Sequence, residues 1–300
     1  METDHSHHIE AISIPAHENI MSVDVECWDQ IICRNLTREL IHPTQSCLES
    51  TRSLLDLFKK RGVKATFFVL GYVAETFPDL IRRIDAEGHE VAAHGYTHTP
   101  LRDLTPAGFR EEVDRTASLL TGIVRKRIHG FRAPEFSVTK NTLWALETLV
   151  EYGFTYDSSI MPLASSRYGI DGFPFGPARV RVGERSIVEV PPSTVHLLGR
   201  RIPAAGGRYL RLLPYQAIRG AVRQVNREVG PYVLYLHPYE LSTERLTCGA
   251  FPGRVPSAQV WKTEFLWNWR RESIRGKLLK LLDEFRFTSA SEVLTRAIGN

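Results

Sequence analysis

Residues 88–98 have the sequence Gly-His-Glu-Val-Ala-Ala-His-Gly-Tyr-Thr-His, which combines a helix stop, a short strand and two histidines. Gly88 ends the helical pattern before it, because glycine tolerates the left-handed backbone that closes a helix. A short apolar strand, 90–93, then leads to His94. His98 follows four residues later, a spacing that keeps both imidazoles on one side of a turn. The stretch predicts one unit of an α/β fold with potential metal ligands at a strand end.

The same alternation of helix, glycine and short strand recurs along the chain. Predicted helices over 48–61, 139–152 and 214–229 each end at a glycine, and another begins at Thr105-Pro106. The polar residues that follow predicted strands are Asp24, His94, Arg132, Asp157 and His237. Active sites lie at this end of the strands in α/β barrels and in open parallel sheets. We favour the barrel because the polar groups come from five strands and no nucleotide-binding glycine motif is present.

The strand over 19–26 ends in two carboxylates. Asp24 and Glu26 are two residues apart, so their side chains share one face of an extended strand. Two histidines and one carboxylate are a ligand set of hydrolytic zinc, which leaves a position for water. The second carboxylate could then act as a base. The alternative for His94 and His98 is a turn in which both imidazoles only form hydrogen bonds.

The remaining strand-end residues each have a structural interpretation as well. Arg132 could be a surface arginine, Asp157 could cap a turn, and His237 could be a histidine at the end of a core strand. Arg132 lies between a strand and a proline, which fixes its direction and allows it to pair with a carboxylate. Taken together, the strand-end polar groups favour a catalytic site over structure alone.

Composition limits the class of protein. The 300 residues include 43% hydrophobic and 24% charged residues, with a formal net charge of +4, which is typical of a folded domain. Lysine and arginine are scattered, so we expect no nucleic-acid partner. The four cysteines form no C-x-x-C pair, and the polar N-terminus lacks a signal-peptide pattern. Since no apolar run reaches the length of a membrane span, we expect a cytoplasmic protein.

The chain is expected to form one domain with a tail. We predict a flexible N-terminal tail over 1–18 and a single domain over 19–300. Within that domain, the core covers 19–240 and a C-terminal extension covers 241–300. Prolines and glycines interrupt the pattern over 161–213, which predicts an excursion over the barrel mouth or a subdomain.

Several stretches of the chain resemble the polysaccharide deacetylases, the NodB-homology group of carbohydrate esterase family 4. The matching stretches are Ser22–Trp28, Ala65–Gly71, Gly88–Gly95, Phe131–Pro134, Tyr156–Ser159 and Leu236–Glu240. The first and the last resemble most closely the branch found with exopolysaccharide and exosortase-type gene clusters. Because the stretches follow one another in order, the resemblance does not depend on a single motif.

The resemblance implies a distorted (β/α) barrel of the NodB type, here with seven strands, that hydrolyses N-acetyl groups on hexosamine units. It also implies a divalent metal, usually zinc, for which cobalt, nickel or manganese could substitute. Carried over to this chain, Glu26, His94 and His98 would hold the metal. Many relatives have aspartate where Glu26 stands.

The resemblance also implies roles for the other strand-end residues. Asp24 would be the general base and Arg132 would hold it. His237 would be the general acid, with Asp157 tuning it. The backbone N–H near Glu135 would contribute to the oxyanion site.

Three further positions concern the substrate. Glu135 stands where many relatives have an aromatic residue or serine, which could alter the substrate that is accepted. Tyr168 and Tyr209 could stack on sugar rings, and they could equally pack the surrounding loop or a neighbouring subunit. We count all three as candidate substrate-binding residues.

Three functions remain open from the sequence. The first is a metal-dependent hydrolase, acting on a carbon–nitrogen bond, that removes N-acetyl groups from an N-acetylhexosamine glycan or its precursor. The second is an amide hydrolase of the same superfamily for a small molecule, and the third is a non-catalytic carbohydrate-binding protein. Sugar-stacking aromatic residues would favour the first and a small closed cavity the second, whereas loss of the base or the acid would favour the third. A glycan is the expected partner, and the formation of a homo-oligomer is left open.

Overall fold

The computed structural model describes residues 8–163, 168–197, 199–249, 251 and 255–299. The strands within these ranges are β1 (Ile9–Ala11), β2 (Asn19–Val25), β3 (Thr66–Val69), β4 (Glu90–Ala93), β5 (Gly130–Phe131), β6 (Tyr156–Asp157), β7 (Ala178–Val182), β8 (Arg185–Glu189), β9 (Thr194–Leu197), β10 (Arg200–Pro203), β11 (Val233–Leu236) and β12 (Phe287–Thr288). The helices are α1 (Trp28–Thr37), α2 (Gln45–Arg61), α3 (Gly71–Thr76), α4 (Pro78–Ala86), α5 (Pro106–Val124), α6 (Trp144–Glu151), α7 (Gly207–Leu212), α8 (Tyr215–Glu228), α9 (Ser257–Asn268), α10 (Ser273–Glu284) and α11 (Ala290–Ile298).

The helix boundaries follow local sequence. Helix α2 ends at Gly62, whose φ of +63° closes the helix in the left-handed region. Gly88, after α4, has a φ of +77°. Helix α5 begins after Thr105, whose hydroxyl accepts a hydrogen bond from Gly108 N at 3.1 Å. In the part of the chain that the structure describes, no helix is both long enough and apolar enough to cross a bilayer.

Seven parallel strands form the centre of the fold, in the order β8-β6-β5-β4-β3-β2-β11. Residues that follow β8 form hydrogen bonds with β11, the strand at the opposite edge of this parallel sheet. Ser193 Oγ accepts a hydrogen bond from Val233 N at 2.8 Å, and the carbonyl of Ala205 accepts one from Tyr235 N at 2.9 Å. These contacts close the sheet, and they confirm the predicted seven-stranded distorted barrel.

The barrel interior has an apolar lower layer, near the end at which the strands begin, and a polar upper layer, near their C-terminal ends. The apolar layer includes Ile20, Phe68, Ala92, Tyr156, Val188 and Val233. Helix α11 packs against this layer with Ala290, Val293 and Leu294, and β12 pairs with the start of β2. The C-terminal extension therefore seals the end of the barrel at which the strands begin, leaving the opposite end for polar groups.

Two segments differ from the sequence prediction. Residues 1–7 of the predicted flexible tail lie outside the described residues, but β1 pairs with β7 at the sheet edge and Ile14 is buried. The predicted flexibility of the tail is therefore wrong for Ile9–Ala11 and Ile14, because these residues pair with the sheet or pack against apolar side chains. The segment 161–213 was predicted as an excursion or a subdomain, but its strand β8 belongs to the parallel sheet. Over its described residues it forms two hairpins, β7-β8 and β9-β10. The single domain over 19–300 stays a prediction.

We predict that the C-terminal helix is essential to the stability of the barrel. Leu294→Ala should lower the free energy of unfolding by about 2–4 kcal/mol, because it opens a cavity under the apolar layer. Ile298→Ala on the same helix should have little effect, since Ile298 is 37% exposed and Leu294 only 7%. Urea denaturation of the two variants measures the difference. Equal losses would show that α11 is not part of the core.

Candidate active site

A cavity of about 290 Å³ opens at the C-terminal ends of β2, β4 and β11. The residues that line it are Asp24, Glu26, Ile31, Asn35, His94, His98, Ala133, Glu135, Phe136, Tyr168, Tyr235, His237, Tyr239 and Trp267. The structure thus brings the predicted metal ligands, base and acid together from distant parts of the chain. Arg132 lies below the cavity, where it is almost fully buried.

Glu26, His94 and His98 form a group able to hold a metal ion. One ligand atom from each lies within 4.8 Å of the others. Glu26 Oε2 is 3.7 Å from His94 Nε2 and 2.7 Å from His98 Nε2. This buried oxygen accepts no hydrogen bond from the described residues, an arrangement that a shared cation would satisfy.

The orientation of His94 supports the same interpretation. Its Nδ1 donates a hydrogen bond to the carbonyl of Arg132 at 2.7 Å, which leaves Nε2 as the nitrogen that can bind a metal. Metal-binding histidines in proteins are held in this way by their second nitrogen. The residues present therefore fit a divalent cation.

The electrostatics of Glu26 agree with this ligand role. Burial alone would raise the pKa of Glu26, but the nearby imidazoles of His98 and His237 hold it well below the usual range. A carboxylate that stays ionised in a buried site is a suitable metal ligand.

Arg132 and Asp24 form a buried ion pair. Arg132 Nη1 lies 2.6 Å from Asp24 Oδ1 and donates a second hydrogen bond, at 3.0 Å, to Ser22 Oγ. Its other nitrogens bind the hydroxyl and carbonyl of Ser158 at 2.8 and 3.2 Å. The guanidinium also lies over the ring of Phe68, 4.1 Å from its centroid. Asp24 is therefore held in one direction, as the sequence predicts.

His237 is held by neighbours that sequence reasoning did not assign to it. Glu240 Oε2 lies 3.2 Å from His237 Nδ1, and the ring of Tyr239 stacks on the imidazole at 5.0 Å. Burial lowers the pKa of His237, but Glu26 and Glu240 outweigh burial and raise it to about 9. His237 Nε2 is 3.2 Å from Glu26 Oε1 and 4.0 Å from Asp24 Oδ2. The carboxyl group of Glu240 can lie beside His237 because Gly207 has no Cβ, which would otherwise occupy the same space.

The structure does not bring Asp157 to His237. Asp157 and Glu189 are register neighbours on β6 and β8, so their carboxyl groups share one face of the sheet. Ser159 donates a hydrogen bond to Asp157, and Glu189 accepts one from Ile160 N. Burial raises the pKa of Asp157 to about 6, although a hydrogen bond from Glu189 lowers it. In these contacts Asp157 belongs to a buried carboxyl pair, and the predicted tuning of His237 is provided by Glu240.

The three candidate substrate residues are placed differently from one another. Glu135 lines the cavity, has a left-handed φ of +58°, and pairs with Arg102 at 2.6 Å. Tyr168 also lines the cavity. Burial, and to a smaller extent the nearby Tyr168, raise the pKa of Tyr209, but Tyr209 is not among the residues that line the cavity. The roles of all three stay predictions.

Sequence reasoning missed several residues of the site, among them Tyr239, Glu240 and Trp267. Tyr239 and Glu240 belong to the stretch Leu236–Glu240 that carried the resemblance, so their identity was visible although their contacts were not. Trp267 comes from helix α9, and nothing in the sequence around it indicated a position in the cavity.

Two family matches divide the chain. Residues 44–156 match the polysaccharide deacetylase family, and residues 158–295 match a domain of unknown function (DUF3473). Asp24 and Glu26 precede the first match, His94 and His98 lie within it, and His237 lies within the second. The site is therefore assembled from both matches and from the strand before them.

Individual relatives match about a third of the chain. A peptidoglycan-N-acetylglucosamine deacetylase of Bacillus cereus is 37% identical over 101 residues, covering 33% of this chain and 37% of that protein. A chitin deacetylase of Pestalotiopsis sp. is 38% identical over 107 residues, covering 35% of each. The chain thus matches little more than a third of the length of these curated relatives.

A solved structure shows the same fold over nearly the whole chain. A crystal structure from Mycobacterium smegmatis, assigned to the polysaccharide deacetylases, has a TM-score of 0.62 and 22% identity. The alignment covers 96% of this chain and 93% of the other. At this identity the likeness establishes the shared fold.

We predict that Arg132 stabilises the fold by compensating the buried charge of Asp24. Arg132→Met should lower the free energy of unfolding by about 3–5 kcal/mol, because it leaves a buried carboxylate without its partner. The double variant Arg132→Met/Asp24→Asn should recover part of this loss, since no uncompensated charge remains. Denaturant unfolding of both variants, with exposed Arg181→Met as the control, measures the effect. If the double variant were less stable than the single one, the charge explanation would be wrong.

A second prediction concerns pH. Burial raises the pKa of Asp157 to about 6 and that of its partner Glu189 well above the usual range, so the folded pair retains protons at a pH where an unfolded aspartate, with a pKa near 4, has lost its own. The native state therefore binds more protons in this window, and the contribution of Asp157 to stability falls as pH rises through it. Asp157→Asn should remove that slope, which urea unfolding at several pH values would measure. Parallel stability curves for the variant and the wild type would contradict the assignment.

Proposed function

Because residues 44–156 match the polysaccharide deacetylase family, we propose that this protein is a metal-dependent hydrolase of N-acetylated glycans. It would remove the acetyl group from an N-acetylhexosamine unit of a glycan or of its precursor. The observation that carries the proposal is the meeting of the Asp24–Arg132 pair, His237 and the three candidate ligands around one cavity.

Glu26, His94 and His98 would hold the metal, for which we propose zinc because its sites combine nitrogen and carboxylate ligands. When bound, such a metal makes water more acidic and stabilises negative charge on a carbonyl oxygen. The remaining chemistry belongs to side chains of this chain.

Asp24 is placed to act as the general base. Its carboxylate lines the cavity beside Glu26, and Arg132 holds Oδ1 from below. Oδ2 lies nearer to His237. Asp24 would accept a proton from the attacking water, and Arg132 would keep the carboxylate aligned as that proton arrives.

His237 is placed to act as the general acid. Glu240 contacts Nδ1 and Tyr239 stacks on the ring, which together leave Nε2 directed toward the carboxylates of the site. His237 would donate a proton to the leaving amine, which is a very poor leaving group without it. The backbone N–H near Glu135 would contribute to binding of the oxyanion.

The walls of the cavity favour a glycan over a small amide. Its aromatic residues are Phe136, Tyr168, Tyr235, Tyr239 and Trp267, and such rings offer flat apolar faces with polar edges for a sugar ring. A purely carbohydrate-binding role is less well supported, because the base and the acid are both present. The choice between polymer and precursor, like the cytoplasmic location expected from the sequence, stays a prediction.

The proposal is tested by measuring acetate release from N-acetylated chitooligosaccharides, with zinc and with chelator. Release should require the metal. Asp24→Asn should reduce turnover by about a hundredfold to ten-thousandfold while the metal stays bound. His94→Ala should lose both the metal and the activity, because it removes a ligand.

The control is His129→Ala, which removes an exposed histidine at the opposite end of the barrel. Its metal content, measured by atomic absorption, should equal that of the wild type. Full activity of Asp24→Asn would show that Asp24 is not the base. Folded, metal-loaded protein that releases no acetate from any N-acetylated glycan tested would favour one of the two alternatives. These are hydrolysis of a small-molecule amide and non-catalytic carbohydrate binding.

A further inference from the structure

Helix α9 presents an apolar outer face. None of its residues is buried, although it carries large apolar side chains at a spacing of four residues. The exposed apolar side chains of α9 and its C-cap are Trp261 (64%), Phe265 (49%), Leu266 (49%) and Trp269 (47%). The rings of Trp261 and Phe265 stack at 5.4 Å. A contiguous apolar patch of this kind marks a surface that binds a partner.

The opposite face of α9 is attached to the protein through specific contacts. Glu264 accepts a hydrogen bond from Cys248 N at 2.8 Å, and Asn268 Nδ2 donates one to the carbonyl of Leu246 at 2.7 Å. The ring of Trp267 packs edge-on against Tyr239. A surface helix usually buries its apolar side chains and exposes its polar ones. Here the inner face is held by polar contacts and by the ring of Trp267, and the other aromatic rings of the helix face outward.

Positive charges border the aromatic face. Lys262 lies on α9, and Arg270 and Arg275 follow it; all three are exposed. The guanidinium of Arg270 lies 5.8 Å from the ring of Trp269. A neighbouring cavity of about 800 Å³ is lined by Phe265, Trp269, Arg245, Arg270, Arg275 and the exposed acid Glu272, among others. Aromatic rings and cations thus form one continuous surface.

We propose that this surface, α9 with Trp269, Arg270 and Arg275, docks the protein on an anionic lipid bilayer. Tryptophan and other aromatic residues are enriched where water meets lipid. Lysine and arginine gain free energy from the negative charge of anionic headgroups. A second copy of the chain is a poorer occupant, because a two-fold contact would bring the same cations together. The helix would lie on the bilayer surface and would not cross it.

The docking surface adjoins the candidate active site. Trp267, on the same helix, lines the site cavity and contacts Tyr239. A bilayer under α9 would therefore place that cavity beside the headgroups. This position suits a glycan carried on a lipid, a consequence that rests on the proposed function, whereas docking itself does not.

The proposal is tested by sedimentation with vesicles, using the full chain and no glycan. The vesicles are pure phosphatidylcholine or an equimolar mixture of phosphatidylcholine and phosphatidylglycerol. The wild type should sediment with the anionic vesicles. Trp261→Ser/Phe265→Ser should weaken this binding by about tenfold or more. Lys262→Gln/Arg275→Gln should weaken it by about thirtyfold, since each cation contributes about 1 kcal/mol at such a surface.

Matched controls distinguish docking from general stickiness. Leu197→Ser removes another exposed apolar side chain, 54% accessible on β9, and Arg179→Gln/Arg181→Gln removes two exposed cations of β7. Both should bind like the wild type. Circular dichroism and acetate release in solution should be unchanged in every variant, which separates failure of docking from failure of the proposed function. Absence of binding to anionic vesicles, or equal loss in the controls, would overturn the proposal. So would self-association, measured by analytical ultracentrifugation, that Trp261→Ser/Phe265→Ser abolishes.

Discussion

The buried ion pair of Arg132 and Asp24 is the contact on which the rest of the site depends. One guanidinium joins β2, through Asp24 and Ser22, to the chain after β6, through Ser158. The backbone carbonyl of the same residue accepts the hydrogen bond that orients His94. The position of the candidate base and the ligand direction of a histidine are therefore both set by Arg132. A charge at this depth is tolerated only because nearly every donor on it has a partner.

The lower half of the barrel makes this polar layer possible. Helix α11 and β12 close the end at which the strands begin, so the apolar side chains beneath Arg132 are shielded from water. Electrostatic interactions are stronger in such surroundings than in water. The C-terminal extension, far from the site in sequence, thus contributes to the strength of the ion pair above it.

The buried pairs Asp157–Glu189 and His237–Glu240 show where sequence reasoning succeeded and where it did not. Asp157 follows a predicted strand and lies in a recognisable stretch, but the pleat of β6 turns it toward Glu189. A shift of one residue along a strand reverses the side on which a side chain lies, and a strand of two residues carries too little pattern to reveal it. Glu240 was visible three residues after His237. Its contact with Nδ1 depends on a 3₁₀ turn over Pro238–Glu240 and on the space beside Gly207.

The sequence by itself determined the alternation of strands and helices, the parallel barrel, and the candidate ligands and base at strand ends. These features are local, because they follow from apolar periodicity, helix-ending glycines and the spacing of polar residues after each strand. Only the tertiary structure decided which carboxyl group meets His237, that Ile9–Ala11 joins the sheet, and that Trp267 reaches the cavity. Each of these depends on contacts between residues distant in sequence. Such contacts are selected by packing and by the pairing of buried polar groups, which no local pattern records.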